Sequence, residues 1–201
     1  MARNILIVAS GPSAAEFDFS QVPESTCIIA VNGAIDWLPR ADFWFTLDPS
    51  PENMRRMMNQ RDAHYVCAGD GILPEGVTRL QRISQQVDQP QDLYSPEWWF
   101  WRWSCKAGLS EDGAAIHTGN SAYGALGMAY HMRPAKIVLA GVDGTKDERI
   151  GGGYCRDLRH LPMLFASAIA QLEAAGIEIA NAGRLDCFQK KTPQECIDWL
   201  T

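Results

Sequence analysis

The sequence lacks the features that mark several common classes of protein. Its 201 residues include 18 basic and 24 acidic side chains, a net charge of -6, with no dense run of lysine or arginine. This balance disfavours nucleic acid and anionic membrane surfaces as partners. No apolar stretch is long enough for a transmembrane helix, and the apolar run near the amino terminus is too short for a signal-peptide core. We therefore expect a cytoplasmic protein without a membrane span.

The cysteines form no metal-binding or redox pattern. There is no C-x-x-C pair, and no group of cysteine and histidine has the spacing of a zinc site. Reduced and mostly buried thiols are therefore expected, as in other cytoplasmic proteins. The six cysteines are Cys27, Cys67, Cys105, Cys155, Cys187 and Cys196.

Two familiar phosphate-binding motifs are also missing. The turn after the first apolar run reads Gly11-Pro12-Ser13, which is not G-x-G-x-x-G and is not followed by the lysine of a P-loop. A dinucleotide site or P-loop of the usual kind is therefore not expected. A tight glycine turn can still hold phosphate through backbone N–H groups and a hydroxyl. A plain strand-to-helix turn explains the tripeptide equally well.

The chain does contain short apolar runs that alternate with helical patterns. Such runs predict strands buried on both faces of a parallel sheet, and they cover residues 4–9, 26–31, 43–47, 65–68, 136–140 and 177–180. Helices are predicted at 51–60, 121–131 and 161–175, and Thr192 with Pro193 marks the start of a last helix. The expected fold is α/β, a single Rossmann-like domain over residues 1–201 with a doubly wound, mostly parallel sheet.

Residues 81–113 interrupt this alternation with a polar stretch followed by an aromatic stretch from Trp98 to Trp103. We interpret them as an insertion over the strand ends. In an extended chain alternate residues face opposite ways, so some of these rings would stay exposed unless something covers them. Such a stretch can serve as a lid that stacks on a base or sugar, or as the interface of a homo-oligomer. The alternative is that the aromatic rings belong to the hydrophobic core.

Polar residues and glycines fall at the ends of the predicted strands. Ligands of doubly wound sheets bind at the carboxyl ends of the strands, so this coincidence predicts a ligand site. The residues concerned are Gly11, Ser13, Asn32, Asp48, Asp143 and Asn181.

A second group of candidate ligands precedes the small-residue helix at 121–131. Thr118, Gly119, Asn120 and Ser121 place several hydrogen-bonding groups at the positive end of the helix dipole, which suits an anion. Helix capping alone is the alternative interpretation.

Two carboxylates, Asp48 and Asp143, follow buried strands in similar positions. Asp143 can serve a ribose, a metal or a helix amino terminus. The pair can hold magnesium together, although nothing in the spacing requires it. Magnesium is expected only if the chain is a phosphoryl transferase.

His160 lies close to Arg156 and Arg159, just before the helix predicted at 161–175. A histidine beside two arginines can act as a general base or contact a phosphate. A solvated helix start is the alternative.

These motifs, in this order, resemble the Rossmann-like superfamily that includes bacterial metal-independent sialyltransferases, archaeal hydroxymethylpterin pyrophosphokinases and small phage and prophage proteins. The resemblance spans nearly the whole chain except residues 81–113. It is carried by Gly11-Pro12-Ser13, Asn32, Asp48, Thr118-Gly119-Asn120-Ser121, the run 136–143 and His160.

The resemblance implies a nucleotide site and a base. In the sialyltransferases, the residues that match Gly11, Pro12, Ser13, Asn32, Thr118 and Gly119 contact the cytidine nucleotide. The match to His160 is the general base there. This chain has Gly119-Asn120 where that family has Ser-Gly, and Tyr154 is the nearest candidate for the tyrosines that steady the leaving phosphate.

Three functions remain open. The first is a glycosyltransferase of sialyltransferase type, which binds a nucleotide-sugar donor and uses no other cofactor. The second is a magnesium-dependent pyrophosphokinase or other phosphoryl transferase. The third is a non-catalytic phage accessory protein that binds a nucleotide in the host cytoplasm. In each case the expected partner is a nucleotide-type small molecule.

Overall fold

The computed structural model of the protein describes residues 3–85, 88–153 and 157–201. Three residues named in the sequence analysis lie outside these ranges. They are Tyr154, the candidate for the tyrosines that steady the leaving phosphate, the cysteine Cys155, and Arg156, which is close to His160 in the sequence. The strands are β1 (Ile5–Val8), β2 (Cys27–Val31), β3 (Phe43–Thr46), β4 (His64–Cys67), β5 (Val77–Arg79), β6 (Gln81–Ile83), β7 (Ala115–His117), β8 (Lys136–Ala140), β9 (Glu178–Asn181) and β10 (Gln189–Lys190).

Eight of these strands form one parallel sheet in the order β10-β9-β8-β1-β2-β3-β4-β5, and β6 pairs with β7 in a separate parallel pair. The helices are α1 (Pro51–Met58), α2 (Pro96–Arg102), α3 (Ser121–His131), α4 (Leu161–Ala166), α5 (Ile169–Ala174) and α6 (Pro193–Leu200). No helix within the described ranges is long and apolar enough to cross a membrane.

Helices cover both faces of the main sheet. Along β1, Ile5 and Ile7 pack with α3, α4 and α5, while Leu6 and Val8 pack with α1 and α6. Both sets of side chains are buried, because each strand residue contributes to one of two apolar cores. The doubly wound parallel sheet expected from the sequence is therefore confirmed.

The six predicted strands are all present, with bounds shifted by no more than one residue. Four further strands were not predicted, because runs of two or three residues are too short to show a period; they are β5, β6, β7 and β10.

The helix predicted at 161–175 is divided into α4 and α5 at residues 167–168. At this break the Ser167 hydroxyl bonds the carbonyl of Leu164 at 2.6 Å.

The order of the strands reverses between β1 and β8. From β1 the chain builds the sheet outward through β2, β3, β4 and β5, and it later returns to the other side of β1 with β8, β9 and β10. At such a reversal the loops after the two central strands turn to opposite faces and leave a crevice. The fold therefore places a potential ligand site beyond the carboxyl ends of β1 and β8.

The aromatic stretch is helical, so the expectation of an extended segment is wrong. Ser95 accepts a hydrogen bond from the N–H of Trp98 at 3.1 Å and Pro96 is the first residue of α2, a sequence signal for a helix start. The rings pack on one another: Trp98 and Trp99 lie 4.8 Å apart between centroids, and Trp99 stacks on Trp103 at 6.1 Å. The tryptophan rings of the stretch thus form a small aromatic cluster, which Phe100 and Trp103 join to the core.

Five of the six cysteines fall in the described ranges and all five are free thiols, as expected. Cys187 is half-buried and the others are buried. Burial raises the pKa of the Cys27 and Cys105 thiols to about 12, which keeps them protonated and unreactive at neutral pH.

Candidate functional site

A cavity of about 470 Å³ opens at the reversal point between β1 and β8. Its size is typical of small-molecule sites. The loops after β1, β2, β3 and β8 and the start of α3 form its walls. Among the residues predicted from the sequence, Gly11, Pro12, Asn32, Asp48, Asn120 and Asp143 line it.

The glycine turn after β1 does not present the phosphate-binding amides that the sequence suggested. The N–H of Gly11 donates to the carbonyl of Gly141 at 2.9 Å, and the N–H of Ser13 donates to Asp143 Oδ2 at 2.9 Å. Pro12 has no N–H to offer. The turn therefore contributes surface to the cavity through Gly11 and Pro12, but its own donors are committed inside the protein.

Gly11 is required by close approach and not by an unusual backbone conformation, since its φ is -66°. A Cβ atom at this position would lie 2.4 Å from the carbonyl oxygen of Gly141 and 2.5 Å from Asp143 Oδ2. The turn and the end of β8 are thus packed backbone against backbone.

Asp143 is buried and its carboxylate is fully engaged. Oδ2 accepts from the Ser13 N–H, while Oδ1 accepts from the Ser13 hydroxyl and from the N–H of Arg184 at 3.1 Å. These bonds join the loops that follow β1, β8 and β9. A carboxylate with both oxygens satisfied in this way is poorly placed to bind a ribose or a metal ion.

Asp48 differs from Asp143, because it is exposed and its carboxylate makes no hydrogen bond to any described residue. The described part of the chain contains no group of three or more potential metal-ligating side chains. The proposed magnesium pair therefore gains no support from the arrangement of these two carboxylates.

The start of α3 brings only one of its four predicted residues to the cavity. Asn120 caps the helix by accepting the N–H of Ala122 at 2.8 Å, so the capping role is confirmed for this residue. Thr118 is fully buried, and its hydroxyl donates a hydrogen bond to the carbonyl of Ser104. The hydroxyl of Ser121 accepts a hydrogen bond from the N–H of Leu47 at 3.2 Å. Gly119 packs where a Cβ would meet Leu164 at 2.5 Å.

His160 lies beneath the cavity wall and does not line it, although Leu158 and Leu161 on either side do. Its side chain is 1% exposed, Nε2 is 3.4 Å from the carbonyl of Gly119, and Nδ1 has no partner in the described residues. Burial lowers the pKa of His160 from 6.5 to about 4, against the opposing effects of the Gly119 carbonyl and Asp157. The imidazole is neutral at pH 7, as a base must be, but it has no access to a substrate in this arrangement.

Residues on α1 that the sequence did not single out form a polar wall. Asn53 is buried and donates from Nδ2 to the carbonyl of Asp48 at 2.7 Å and to Thr46 Oγ1 at 2.9 Å. Thr46 in turn lies 2.7 Å from Asn32 Oδ1. These contacts connect the ends of β2 and β3 through the helix that follows them.

Several side-chain donors on the cavity wall have no hydrogen-bond partner in the described residues, and Ser10 Oγ and Trp37 Nε1 are two buried examples. The amide nitrogens of Asn32 and Asn120 donate to none of the described residues, since in each case only the carbonyl oxygen of the side chain is used. The guanidinium of Arg149 has no partner in the ranges 3–85, 88–153 and 157–201. The loop that carries it is tied to the end of β1 by the N–H of Ile150 on the Ser10 carbonyl at 2.9 Å.

The segment 81–113 takes no part in this cavity. None of its described residues lies on the wall, and Phe100 and Trp103 pack instead against the core that contains α3. In this arrangement the described residues of the segment do not form the expected lid over the cavity.

Comparisons with known proteins add little to this geometry. No protein-family model and no curated protein matches the chain. Among solved structures, the chain is similar to that of the sialyltransferase CstII from Campylobacter jejuni, which was determined in complex with a substrate analogue, cytidine-5'-monophosphate. The similarity covers 93% of this chain and 86% of that chain, at 14% sequence identity and a TM-score of 0.46. At this level ligand and activity have to be argued from the site itself.

Proposed function

We propose that the protein binds a nucleoside phosphate in the cavity at the β1–β8 reversal and transfers a sugar from a nucleotide-sugar donor. The observation that carries the proposal is that one cavity is lined by three residues with donors uncommitted in the described ranges, Asn32 Nδ2, Asn120 Nδ2 and the Arg149 guanidinium. They come from three different loops, so the sheet topology and not local sequence brings them together.

The chemistry of these donors favours an anion rich in acceptor oxygens. Two neutral amides and one guanidinium offer N–H groups only, and a guanidinium matches the geometry of a phosphate. Asn120 also stands at the amino terminus of α3, where the helix dipole adds positive potential. A phosphate group carries the several acceptor oxygens that such a set of donors would bind.

Glycosyl transfer uses the same contacts to stabilise a leaving group. The hydroxyl oxygen of an acceptor forms a bond to the anomeric carbon, and the bond from that carbon to the phosphate oxygen breaks. The electron pair stays on the departing phosphate, whose charge the fixed donors stabilise. The hydroxyl proton passes to a base, and Asp48 meets the requirement of an uncommitted carboxylate on the wall, whereas His160 is buried.

The sugar-transfer part of the proposal rests on the sequence resemblance to the sialyltransferases, whereas phosphate binding rests on the site. Phosphoryl transfer is the less supported alternative, because Asp143 is engaged by Ser13 and Arg184. A binding protein without activity would show the same affinity for nucleotides and no turnover.

Thermal unfolding with a panel of nucleoside mono- and diphosphates and nucleotide sugars tests the proposal. A ligand at about 100 times its Kd is expected to raise Tm by about 5–10 °C in a chain of this size. Arg149→Ala is expected to weaken binding at least about tenfold, since it removes a charged hydrogen bond. Arg55→Ala, an exposed arginine on α1 that is absent from the wall, is the matched control and should bind normally. No shift with any member of the panel would refute the proposal.

A further inference from the structure

A continuous chain of hydrogen bonds runs along the cavity wall from an ion pair to Asn32. Arg56 is held by Asp36, with Nε 3.0 Å and Nη2 2.6 Å from Oδ2 of the carboxylate. Arg56 Nη1 then donates to Asn53 Oδ1 at 2.8 Å, and Asn53 and Thr46 lead to Asn32. We call the four side chains Arg56, Asn53, Thr46 and Asn32 the polar relay.

The first half of the relay has only one possible direction. A guanidinium donates and never accepts, so the atom of Asn53 that faces Arg56 must be its carbonyl oxygen. The amide nitrogen of Asn53 therefore points the other way, toward the carbonyl of Asp48 at 2.7 Å and Thr46 Oγ1 at 2.9 Å. Both of these atoms can accept, which agrees with this orientation.

The same reasoning fixes the end of Asn32 that faces Thr46. Its hydroxyl oxygen receives hydrogen bonds from Asn53 Nδ2 at 2.9 Å and from the N–H of Asp48 at 3.0 Å, which use both of its acceptor sites. Its single proton has two acceptors within reach, Asn32 Oδ1 at 2.7 Å and the carbonyl oxygen of Asp48 at 3.1 Å. With both acceptor sites of Thr46 occupied, the Asn32 atom that faces it must itself accept, and this atom also lies 3.2 Å from the donor Asn53 Nδ2. The carbonyl end of Asn32 is thus committed to the interior.

We propose that the polar relay sets which end of the Asn32 amide faces the cavity, and that it thereby selects a ligand group that accepts a hydrogen bond. Asn53 and Thr46 are positioning residues, both at least 96% buried, and they act through Asn32 without touching the ligand. The identity of the ligand as a nucleoside phosphate rests on the proposed function. The orientation of Asn32 does not.

Asn53→Asp is expected to reverse the direction of the hydrogen bonds in the polar relay, because aspartate has nearly the same shape as asparagine but has no amide donor. A carboxylate in place of the amide nitrogen accepts the Thr46 proton, so Thr46 Oγ1 is left to accept from Asn32 Nδ2. Asn32 then presents its oxygen to the cavity. With CMP as the probe, we expect affinity to fall at least about tenfold, since a donor is replaced by a repelling acceptor.

Three further variants separate this role from a loss of structure. Asn59→Asp makes the same change on an exposed residue at the end of α1 and should leave CMP affinity unchanged. Thr46→Ser keeps the hydroxyl and should also preserve affinity. Asn32→Gly removes the amide at a position whose φ of 52° glycine accepts, and in this background Asn53→Asp should cause no further loss. An equal loss in both backgrounds would overturn the inference.

Exchange of side-chain amide protons with water, measured by NMR without ligand, decides the orientation directly. The Asn32 NH2 group should exchange readily in the unaltered protein and become protected in Asn53→Asp. Protection of this group in the unaltered protein would overturn the inference even if CMP binds. A protein that fails to bind CMP would refute the proposed function, while the exchange result would still decide the orientation of Asn32.

Discussion

Asp143 accepts hydrogen bonds from both the backbone N–H and the hydroxyl of Ser13, 130 residues earlier in the chain. This pair joins the loops on the two sides of the β1–β8 reversal, and the N–H of Arg184 adds the loop after β9. The floor of the cavity is therefore built before any ligand arrives. Of the two carboxylates that the sequence predicted here, Asp143 belongs to the scaffold, whereas the carboxylate of Asp48 makes no hydrogen bond to any described residue.

Removing Asp143 should destabilise the protein strongly, whereas removing Asp48 should hardly affect its stability. Asp143→Ala leaves buried N–H and hydroxyl donors without an acceptor, so we expect the free energy of unfolding to fall by about 3–5 kcal/mol. Asp48→Ala removes an exposed group without a hydrogen-bond partner in the described residues and should change it by no more than about 0.5 kcal/mol. Urea unfolding of both variants measures the contrast, and equal losses would show that Asp143 is not a structural clamp.

Gly11 gives a second test of how tightly the cavity floor is packed. Gly11→Ala drives a Cβ into the backbone oxygen of Gly141 and the carboxylate of Asp143, so a loss of about 3 kcal/mol or more is expected. Gly127→Ala within α3 meets only Ile116 Cδ1 at 3.5 Å and should stabilise the protein by about 0.5–1 kcal/mol. Chemical unfolding measures both changes. A Gly11→Ala protein of normal stability would mean that the two loops separate easily.

The strands and the place of the cavity could be predicted because the short, almost continuous apolar runs of a parallel sheet leave a recognisable signal. Asn32, Asp48 and Asp143 were correctly expected to lie where strands end at one edge. Their individual roles could not be predicted, because an aspartate that binds a ligand and one that binds a distant serine look alike in sequence. The partner of Asp143 becomes visible only when the sheet brings β1 beside β8.

The residues that were missed had no comparable signal. Asn53 and Arg56 lie on the polar side of an amphipathic helix, where the sequence suggests solvent and the structure shows a buried network. The helix α2 did have a signal, since Ser95-Pro96 followed by Glu97 is a good helix start.

Burial of His160 predicts a dependence of stability on pH. Its pKa is lowered from 6.5 to about 4 by burial, so the unfolded chain binds a proton between these values and the folded protein does not. This contribution to stability is complete above about pH 6.5 and is lost progressively as the pH falls toward about 4. Between about pH 7.5 and about pH 5 it should amount to roughly 2 kcal/mol.

His160→Gln should remove this contribution and keep a donor near the Gly119 carbonyl. Urea unfolding of both proteins at the two pH values isolates it, because the carboxylates titrate in both. The variant should lose roughly 2 kcal/mol less than the unaltered protein between the two values. An identical loss in the two proteins would show that the imidazole becomes protonated without leaving its site.

Comparing the turnover of His160→Gln with that of Asp48→Asn distinguishes His160 and Asp48, the two candidate bases of the proposed transfer. A general base must reach the hydroxyl that it deprotonates, and Asp48 lies on the cavity wall whereas His160 is 1% exposed beneath it. Asp48→Asn should therefore lower kcat by about 10²–10⁴-fold, and His160→Gln should leave it nearly unchanged. The assay is release of nucleotide from the nucleotide sugar that gives the largest thermal shift, with nucleotide affinity measured separately for each variant. Loss of turnover in His160→Gln with normal kcat in Asp48→Asn would assign the base to His160 and require the wall between Leu158 and Leu161 to open during the reaction.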